Sequence, residues 1–328
     1  MSDLLPLVHN ETLKIWKKKR FYVILLILLV LVPIFTYAQM TLSRSDDERG
    51  GDWRNQLVQQ IADYENALAS DRIPEEWKQY QRVMVQQLSY YLEHDVNPNA
   101  PGAVTFTRGF LTNAATLFIP LLVLAIASDL VSGERAGGTI KQLLTRPVRR
   151  WKILFSKVAA LVLYISLTIV ATVLVCYAIS GLFFGYGGWT MPVFTGFAVT
   201  GSSVDTSHVH DVPQWLYLAM QAGLIWFAAL TVGLLALMVS VLVRGTAASL
   251  VTMMAAIITG TILVNMASSW SGAKYLFAVN LELGGYLDGT PPPIEGMSLV
   301  FSLAVLAVWS AAALVVAFGV FTKQDIMN

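Results

Sequence analysis

The sequence predicts an all-α integral membrane protein with six transmembrane helices, an N-terminal interfacial helix and an extracellular helical hairpin. Three observations support this fold class. Of the 328 residues, 55% are hydrophobic and only 13% are charged, whereas soluble domains average about 25% charged residues. The apolar residues gather in runs of about 20, the length that crosses a hydrocarbon core of about 30 Å. Basic residues gather in the short connections between these runs.

The first element, residues 1–20, is predicted to be an amphipathic helix at the inner membrane surface. Trp16 would anchor it, and its lysines would face anionic headgroups. A solvated tail is the alternative. Six apolar runs follow, and Pro33 and Pro120 lie inside two of them, where a membrane helix accommodates proline as a kink. The predicted spans are residues 21–40, 109–129, 153–186, 214–243, 246–268 and 297–321.

Residues 41–108 form the largest predicted soluble part. Leu57 and Ile61 belong to one stripe of apolar residues at helical spacing, and Met84 and Leu88 belong to a second. We therefore expect a helical hairpin with one apolar seam. As a function it suggests a cap or gate over a pathway, and the alternative is a packed decoration or a partner contact.

Two further outer connections are predicted. Residues 187–213 are rich in glycine and favour a solvated loop, whose His208 and His210 lack the second cluster that a metal site needs. Residues 269–296 are too short to cross and favour a pair of half-inserted helices. Glu282 would lie there at membrane depth, so Glu282 and Asn265 are candidate pathway or gate residues. A water-exposed acid is the alternative for Glu282.

The distribution of basic residues predicts the orientation. Six spans place both ends of the chain on one side, including the tail at residues 322–328. The proposed inner segments hold 14 Lys and Arg residues against 8 in the outer segments, most of which lie in one long loop. Short connections decide orientation, so both termini are predicted to be cytoplasmic in a multi-pass protein of the cell membrane.

The sequence lacks the motifs of an enzyme. It has no HExxH, CxxC or GxSxG. Residues 133–139 have the glycine spacing of a phosphate-binding loop, but Thr139 stands where the lysine belongs. The predicted span interiors also lack the ionisable relays of ion-coupled transporters. We expect no catalytic, cofactor or metal site in this chain, and a source of energy outside it.

The connection at residues 130–152 carries the strongest functional signal. It combines glycines at 133, 137 and 138, which permit a sharp turn, with a dense group of basic residues. Its Glu134, Gly138-Thr139, Leu143-Leu144, Pro147 and Arg149-Arg150 resemble the cytoplasmic signature of the type-2 ABC-transporter permeases, and the six-span arrangement is similar along nearly the whole chain.

The resemblance implies a bacterial exporter subunit that pairs with a second permease, as a homodimer or heterodimer, and with a dimer of cytosolic ABC ATPases. ATP and magnesium would bind to those ATPases. The weakly polar interiors of the predicted spans favour an amphipathic substrate: a peptide, an antibiotic or a lipid-linked molecule. Membrane lipid is an expected partner and nucleic acid is not. A non-transporting anchor or sensory subunit is the alternative.

By the same resemblance, the connection forms a short coupling helix that is seated on the ATPase. Glu134 is expected at the membrane edge, paired with Arg135, Arg149 or Arg150 or with the ATPase. The implied ATPase-coupling residues are Glu134, Arg135, Gly138, Thr139, Lys141, Arg146, Pro147, Arg149 and Arg150. In the fifth span, Ala248, Thr252, Ala256 and Gly260 make a small-residue stripe, which suits either an internal packing seam or a dimer seam.

Overall fold

The computed structural model describes residues 4–48, 52–69, 75–140, 148–200, 203–266, 270–294 and 296–323. These parts of the chain are mostly helical. The α-helices are α1 (Leu4–Lys17), α2 (Arg20–Glu48), α3 (Trp53–Leu68), α4 (Glu75–Glu93), α5 (Ala103–Ala114), α6 (Phe118–Ala127), α7 (Ser132–Ala136), α8 (Arg150–Phe184), α9 (Gln214–Leu242), α10 (Thr246–Met266), α11 (Gly285–Asp288) and α12 (Leu299–Lys323).

Among these described segments, five helices are long and apolar enough to cross a membrane: α2, α8, α9, α10 and α12. A sixth span is formed if α5 and the helical stretch 118–136 are taken together, with a bend of 66° between them. The bend has a chemical cause in Pro120. Proline has no N–H to bond the carbonyl four residues earlier and its ring clashes there. The prediction of a multi-pass helical membrane protein is therefore confirmed.

Helix α9 is the centre of the bundle and packs against α5, α6, α8, α10 and α12. Polar contacts add to the apolar packing. Trp226 donates a hydrogen bond from Nε1 to Ser166 Oγ at 2.9 Å, and Ser310 Oγ donates to Thr231 Oγ1 at 3.0 Å. Gly233 lets α8 approach closely, because a Cβ there would lie 2.8 Å from Ile165 Cδ1. Small residues and interhelical hydrogen bonds are the usual means of packing helices in lipid.

Helix α1 packs on α2 and α8 through Leu7 and Ile15, so this part of the chain is not a solvated tail. Its other face leaves Leu5, Leu13 and Trp16 exposed. An amphipathic helix with exposed apolar side chains beside basic residues is typical of the membrane interface.

Exposed aromatic side chains lie near both ends of the spans, as expected of residues that sit at headgroup level. Trp16, Tyr22 and Trp151 lie at the end that carries α1 and the beginning of α8. Tyr186, Trp189 and Trp215 lie near the opposite end. The two groups mark where the apolar part of the bundle begins and ends.

The predicted hairpin is present as α3 packed against α4. Leu57 is buried in its seam, whereas Ile61, Met84 and Leu88 are only partly buried. The most buried position of α4 is Val83. The predicted stripe on α4 is therefore displaced by one position, because other segments of the chain also cover α4.

The connection predicted as a solvated loop contains strands, so the fold is not wholly helical. Strand β1 (Pro192–Thr195) pairs antiparallel with β4 (His210–Pro213), and β2 (Ala198–Thr200) pairs with β3 (Ser203–Asp205). Both are two-stranded ladders. They are held because their apolar side chains reach α4: Tyr90 contacts Phe194 and Phe197 edge-on, with ring centroids 5.1 and 5.5 Å apart.

The segment between α10 and α12 contains two 3₁₀ turns, Ser271–Tyr275 and Phe277–Asn280, followed by the short helix α11. Gly260 of α10 packs against this segment, since a Cβ there would lie 2.0 Å from Ala278 Cβ. The small-residue stripe is thus an internal seam at Gly260. Ala248 and Thr252, at its other end, are exposed.

Candidate functional site

Glu134 lies in α7, the short helix that directly follows the second span. Four side chains form a closed ring of ion pairs there, which we call the charged junction: Glu11, Lys14, Glu134 and Lys157. Lys14 Nζ lies 2.7 Å from Glu11 Oε1 and 2.8 Å from Glu134 Oε1. Lys157 Nζ lies 2.7 Å from Glu11 Oε2 and 2.8 Å from Glu134 Oε2. The ring joins α1, α7 and α8, and its formal charges sum to zero.

Burial makes this ring different from a surface ion pair. The side chain of Lys157 is 1% exposed, and those of Glu11 and Glu134 are 4% and 7% exposed. A buried charge is tolerated only when opposite charge and hydrogen bonds compensate its lost hydration. Each member of the charged junction therefore depends on the two opposite charges beside it.

Lys14 is the most exposed member of the ring. Burial alone would lower the pKa of its ammonium, but the hydrogen bonds and charges of Glu11 and Glu134 outweigh burial and raise the pKa above its ordinary value. Lys14 therefore carries its charge throughout the physiological pH range. The stabilisation that this raised pKa represents is fully present below the ordinary value of 10.5 and is lost only as the pH rises beyond it.

A second set of ion pairs lies beside the charged junction, around Asp129. Lys18 Nζ is 2.5 Å from Asp129 Oδ2, and Arg20 Nη2 is 2.9 Å from Asp129 Oδ1. Arg20 also donates a hydrogen bond to the carbonyl of Ala125. Gly133 makes room for this carboxylate, because a Cβ at that position would lie 2.0 Å from Asp129 Oδ1. The beginning of α2 is thus tied to the end of the second span.

Helix α7 is also fastened to the end of α9. Ser240 Oγ accepts hydrogen bonds from the backbone N–H groups of Val131 and Ser132, at 3.2 and 2.9 Å. These are groups that a helix N-terminus otherwise leaves without a partner. Arg135 donates from Nη1 to the carbonyl of Val241 at 2.7 Å. Contacts from α7 therefore reach α1, α8 and α9.

The other residues of the predicted coupling set are distributed around α7 and α8. Thr139 Oγ1 donates to the carbonyl of Glu134 at 3.3 Å, and Gly138 has a positive φ of 70° that suits glycine. Arg149 is exposed, and Arg150 Nη1 donates to the carbonyl of Thr322 in α12 at 3.3 Å. The predicted residues Lys141, Arg146 and Pro147 lie outside the described residues.

The expected pairing of Glu134 with Arg135, Arg149 or Arg150 is wrong for the described part of the chain. Its ion pairs are with Lys14 and Lys157, and it is buried rather than exposed at a surface edge. Of the three glycines that were predicted to permit the sharp turn, at 133, 137 and 138, only Gly138 adopts a positive φ. Glu134 pairs with a lysine of α1 because α1 folds back onto the connection and places Lys14 beside it.

Sequence analysis missed Glu11, Asp129 and Lys157 as members of this site. A signal for Lys157 was present, since it lies within the predicted span at residues 153–186. An ionisable residue inside a span calls for a partner of opposite charge. Asp129 is the last residue of the predicted span at residues 109–129, and Glu11 is the acid of residues 1–20 that lies nearest to the first span.

At the opposite end of the bundle lies a cavity of ≈ 200 Å³, which we call the outer cavity after the orientation predicted from the sequence. Its walls come from the break between α5 and α6, the end of α10, the α10–α12 segment and the first turn of α12. Glu282 lines it, whereas the side chain of the other candidate pathway residue, Asn265, lies outside the described residues. The described lining residues are Thr116, Thr261, Val264, Ala278, Val279, Asn280, Glu282, Gly285, Tyr286, Thr290, Pro291, Pro292, Pro293 and Ser302.

The hairpin reaches the wall of the outer cavity. Gln87 of α4 donates from Nε2 to the carbonyls of Asp288 and Gly289, at 3.0 and 2.9 Å. Gly289 has a φ of 72°, and a Cβ there would lie 2.5 Å from Phe197 Cβ. Three segments that are distant in sequence therefore meet at Gly289, one residue before Thr290 in the cavity wall.

Fold and sites together define a multi-pass α-helical membrane protein. The chain belongs to the DUF2705 family, described as a protein of unknown function, whose family model matches residues 78–327. It is similar to the uncharacterized protein YhcI of Bacillus subtilis (strain 168), with 28% identity over 328 residues that cover 99% of this chain and 100% of that protein.

Two further relatives are described by name as a membrane protein or a permease. The uncharacterized membrane protein YdbK of Bacillus subtilis (strain 168) is 29% identical over 222 residues, which cover 66% of this chain and 82% of that protein. The probable ABC transporter permease protein NosY of Pseudomonas aeruginosa is 41% identical over 63 residues, 18% of this chain and 23% of that protein. The match to a permease is therefore local.

Proposed function

We propose that the chain is the permease subunit of an ATP-driven exporter that moves an amphipathic substrate out of the cell. The observation that carries the proposal is the position of α7. This helix follows the second span directly and is tied to α1, α8 and α9 by Glu134, Arg135 and the N–H groups that bond Ser240. A displacement of α7 would therefore move several helices at once.

The energy would come from a cytosolic ABC ATPase dimer that pushes on α7 and on the connection after it. ATP and Mg²⁺ belong to that partner, and a second permease subunit completes the complex. The local similarity to a probable ABC transporter permease supports this assignment. The charged junction supports it physically, because its buried ion pairs tie α7 to α1 and α8, so a displacement of α7 would be passed on to both helices.

Orientation is part of the proposal: both termini and the charged junction face the cytoplasm. Labelling with a membrane-impermeant thiol reagent tests this in intact cells, on a Cys176→Ser background. Ser89→Cys, on the exposed face of α4, should be labelled, and Arg149→Cys should be protected until the membrane is permeabilised. The opposite pattern would show that α7 faces the outside of the cell, where a cytosolic ATPase cannot contact it.

The coupling experiment uses Glu134→Gln in the full chain, expressed in its native host together with whatever ATPase co-purifies. Glutamine keeps the shape of the side chain but removes the charge that compensates Lys157. We expect the ATPase to remain bound and ATP hydrolysis in lipid to lose its dependence on the permease, with a fall of at least about tenfold in stimulated turnover. Glu93→Gln, an exposed acid of α4, is the matched control.

Three results would count against the proposal. Absence of any co-purifying ATPase would exclude an ATP-driven subunit. Wild-type stimulation in Glu134→Gln would exclude a role for the charged junction in coupling. An ATPase that binds and is stimulated, in cells whose sensitivity to amphipathic antibiotics does not change when the chain is deleted, would favour the alternative of a non-transporting anchor or sensory subunit.

A further inference from the structure

The outer cavity combines an apolar wall with a few polar groups, as small-molecule sites do. Pro291, Pro292 and Pro293 form one apolar side, and Val264 and Val279 form another. The wall is pre-formed, because the prolines have few backbone conformations to lose and the adjacent turn at Gly289 is held by Gln87. A ligand that enters this cavity needs little reorganisation of the protein.

Charge in the cavity has one sign. Glu282 is the only charged side chain among the described lining residues, and no ion pair joins it to another described residue. Its side chain is exposed, so a cation can reach the carboxylate beside the apolar wall and become its counter-ion. Anionic ligands are disfavoured for the same reason.

Asn280 supplies a hydrogen-bond acceptor, its side-chain oxygen, in addition to the carboxylate of Glu282. Its side-chain nitrogen donates to the carbonyls of Lys274 and Leu276, both at 2.8 Å, which fixes the orientation of the amide. The residue is 2% exposed, and its Oδ1 accepts no hydrogen bond from the described residues. This oxygen is itself covered, so a ligand N–H reaches it only after a small shift of its neighbours, and that bond would then recover the cost of the unpaired acceptor. Tyr286 and Ser302 add hydroxyls that bond each other at 2.9 Å.

We propose that the outer cavity binds the cationic amine end of an amphipathic molecule. The ammonium pairs with Glu282 and donates to the acceptors beside it, and the alkyl part lies along the prolines and valines. This inference rests on the proposed function and deepens it, because it names the substrate as a cationic amphiphile. Among the described residues, no group of three His, Cys, Asp or Glu side chains lies close enough to hold a metal ion instead.

The test measures binding to the purified full chain in zwitterionic lipid nanodiscs, without any ATPase. The probe is octylammonium in equilibrium dialysis, with empty nanodiscs as the blank. We expect saturable binding to one site, competition by octanol only at higher concentration, and no competition by octyl sulfate. Glu282→Gln should weaken octylammonium binding by about tenfold or more, as expected for a lost charge-assisted hydrogen bond.

Two controls keep the result interpretable. Octanol should bind the Glu282→Gln variant as it binds the wild type, which shows that the cavity is intact, and Glu93→Gln should leave all binding unchanged. Absence of saturable octylammonium binding, or equal affinity in the wild type and Glu282→Gln, would overturn the inference. Because no ATPase is present, such a failure leaves the coupling result at Glu134 to stand or fall separately.

Discussion

The two ends of the molecule are held together by different interactions. At the charged junction, four buried charges join α1, α7 and α8 in a closed ring. At the opposite end, α4 is joined to the strands and to Gly289 by neutral hydrogen bonds and aromatic contacts. We call the contacts of α4 with the strands and with Gly289 the outer contact. The charged junction and the outer contact both bring together segments that are far apart in sequence, but only the charged junction does so with charged side chains.

The difference teaches how each end responds to a perturbation. Neutral hydrogen bonds contribute about 0.5–1.5 kcal/mol each and aromatic pairs a similar amount, so the outer contact weakens in small steps. A buried ion pair that loses one partner leaves an uncompensated charge and is lost as a unit. Under the proposed function, the end with the charged junction is the one suited to transmit a displacement, and the end at Gly289 is the one that can adjust its shape.

The largest expected effect is that of Lys157→Met. It leaves Glu11 and Glu134 buried with only Lys14 between them, so we expect a loss of about 3–5 kcal/mol in the free energy of unfolding. Titration of the purified chain with sodium dodecyl sulfate in mixed micelles measures it. Lys17→Met, an exposed lysine of the same end, should change stability little.

A double variant sharpens this prediction. Lys157→Met combined with Glu134→Gln restores a neutral set, so it should recover part of the stability that Lys157→Met loses. If the double variant is as unstable as the sum of the two single variants, the ring is not electrostatically coupled, and the contrast between the two ends of the molecule disappears.

The second effect is that of Gly289→Ala at the outer end. Alanine would be forced to a positive φ and its Cβ would meet Phe197 and Gln87, so we expect a loss of about 2–4 kcal/mol. Gly296→Ala is the matched control. It has a φ of 81° and nothing within 4 Å of a Cβ, so it isolates the backbone strain. Equal losses in both variants would show that packing around Gly289 contributes nothing.

The spans and the fold class could be predicted from the sequence because lipid imposes a simple requirement. About 20 apolar residues in a row leave a helix as the only backbone that bonds itself. Even the bend in the second span was indicated, by Pro120. The strands were missed because they are short and lie among glycines, and they are stabilised by α4 rather than by their own pattern.

The candidate site was harder to predict, because its partners are distant in sequence. Glu134 was identified from its neighbours, but its partner Lys14 lies 120 residues away, and Lys157 lies 146 residues from Glu11. Charge counting treated Lys14 and Lys157 as determinants of orientation and gave no reason to pair them. Such pairings follow from how α1 folds back, which only packing decides.

A third effect concerns Asp129. Gly133→Ala would place a methyl group 2.0 Å from Asp129 Oδ1 and displace that carboxylate from Lys18 and Arg20. We expect a loss of about 1–2 kcal/mol, because alanine's better helix propensity offsets part of the clash. Gly109→Ala in α5, with nothing within 4 Å of its Cβ, should leave stability unchanged or slightly higher. Similar behaviour of the two variants would argue against the Asp129 contact.

The smallest effect tests whether the outer contact weakens in small steps. Tyr91 accepts a hydrogen bond on its hydroxyl from the backbone N–H of Phe194 at 3.2 Å, and its ring packs on Phe194 at 4.9 Å between centroids. Burial raises the pKa of Tyr91, so the hydroxyl stays neutral at physiological pH. Tyr91→Phe removes the hydrogen bond and keeps the ring, so we expect a loss of about 1 kcal/mol.

Hydrogen exchange localises this effect better than global unfolding does, because a weakened outer contact opens without the rest of the bundle. Exchange should quicken about fivefold at the amide of Phe194 and at its neighbours in β1 and β4, while amides of α7 keep their wild-type rates. Tyr90→Phe is the matched control, since the Tyr90 hydroxyl has no hydrogen bond to the described residues and its ring also packs on Phe194. If Tyr91→Phe instead quickened exchange in α7, the two ends of the molecule would be coupled through the bundle, and the outer contact would share in the transmission that we assign to the charged junction.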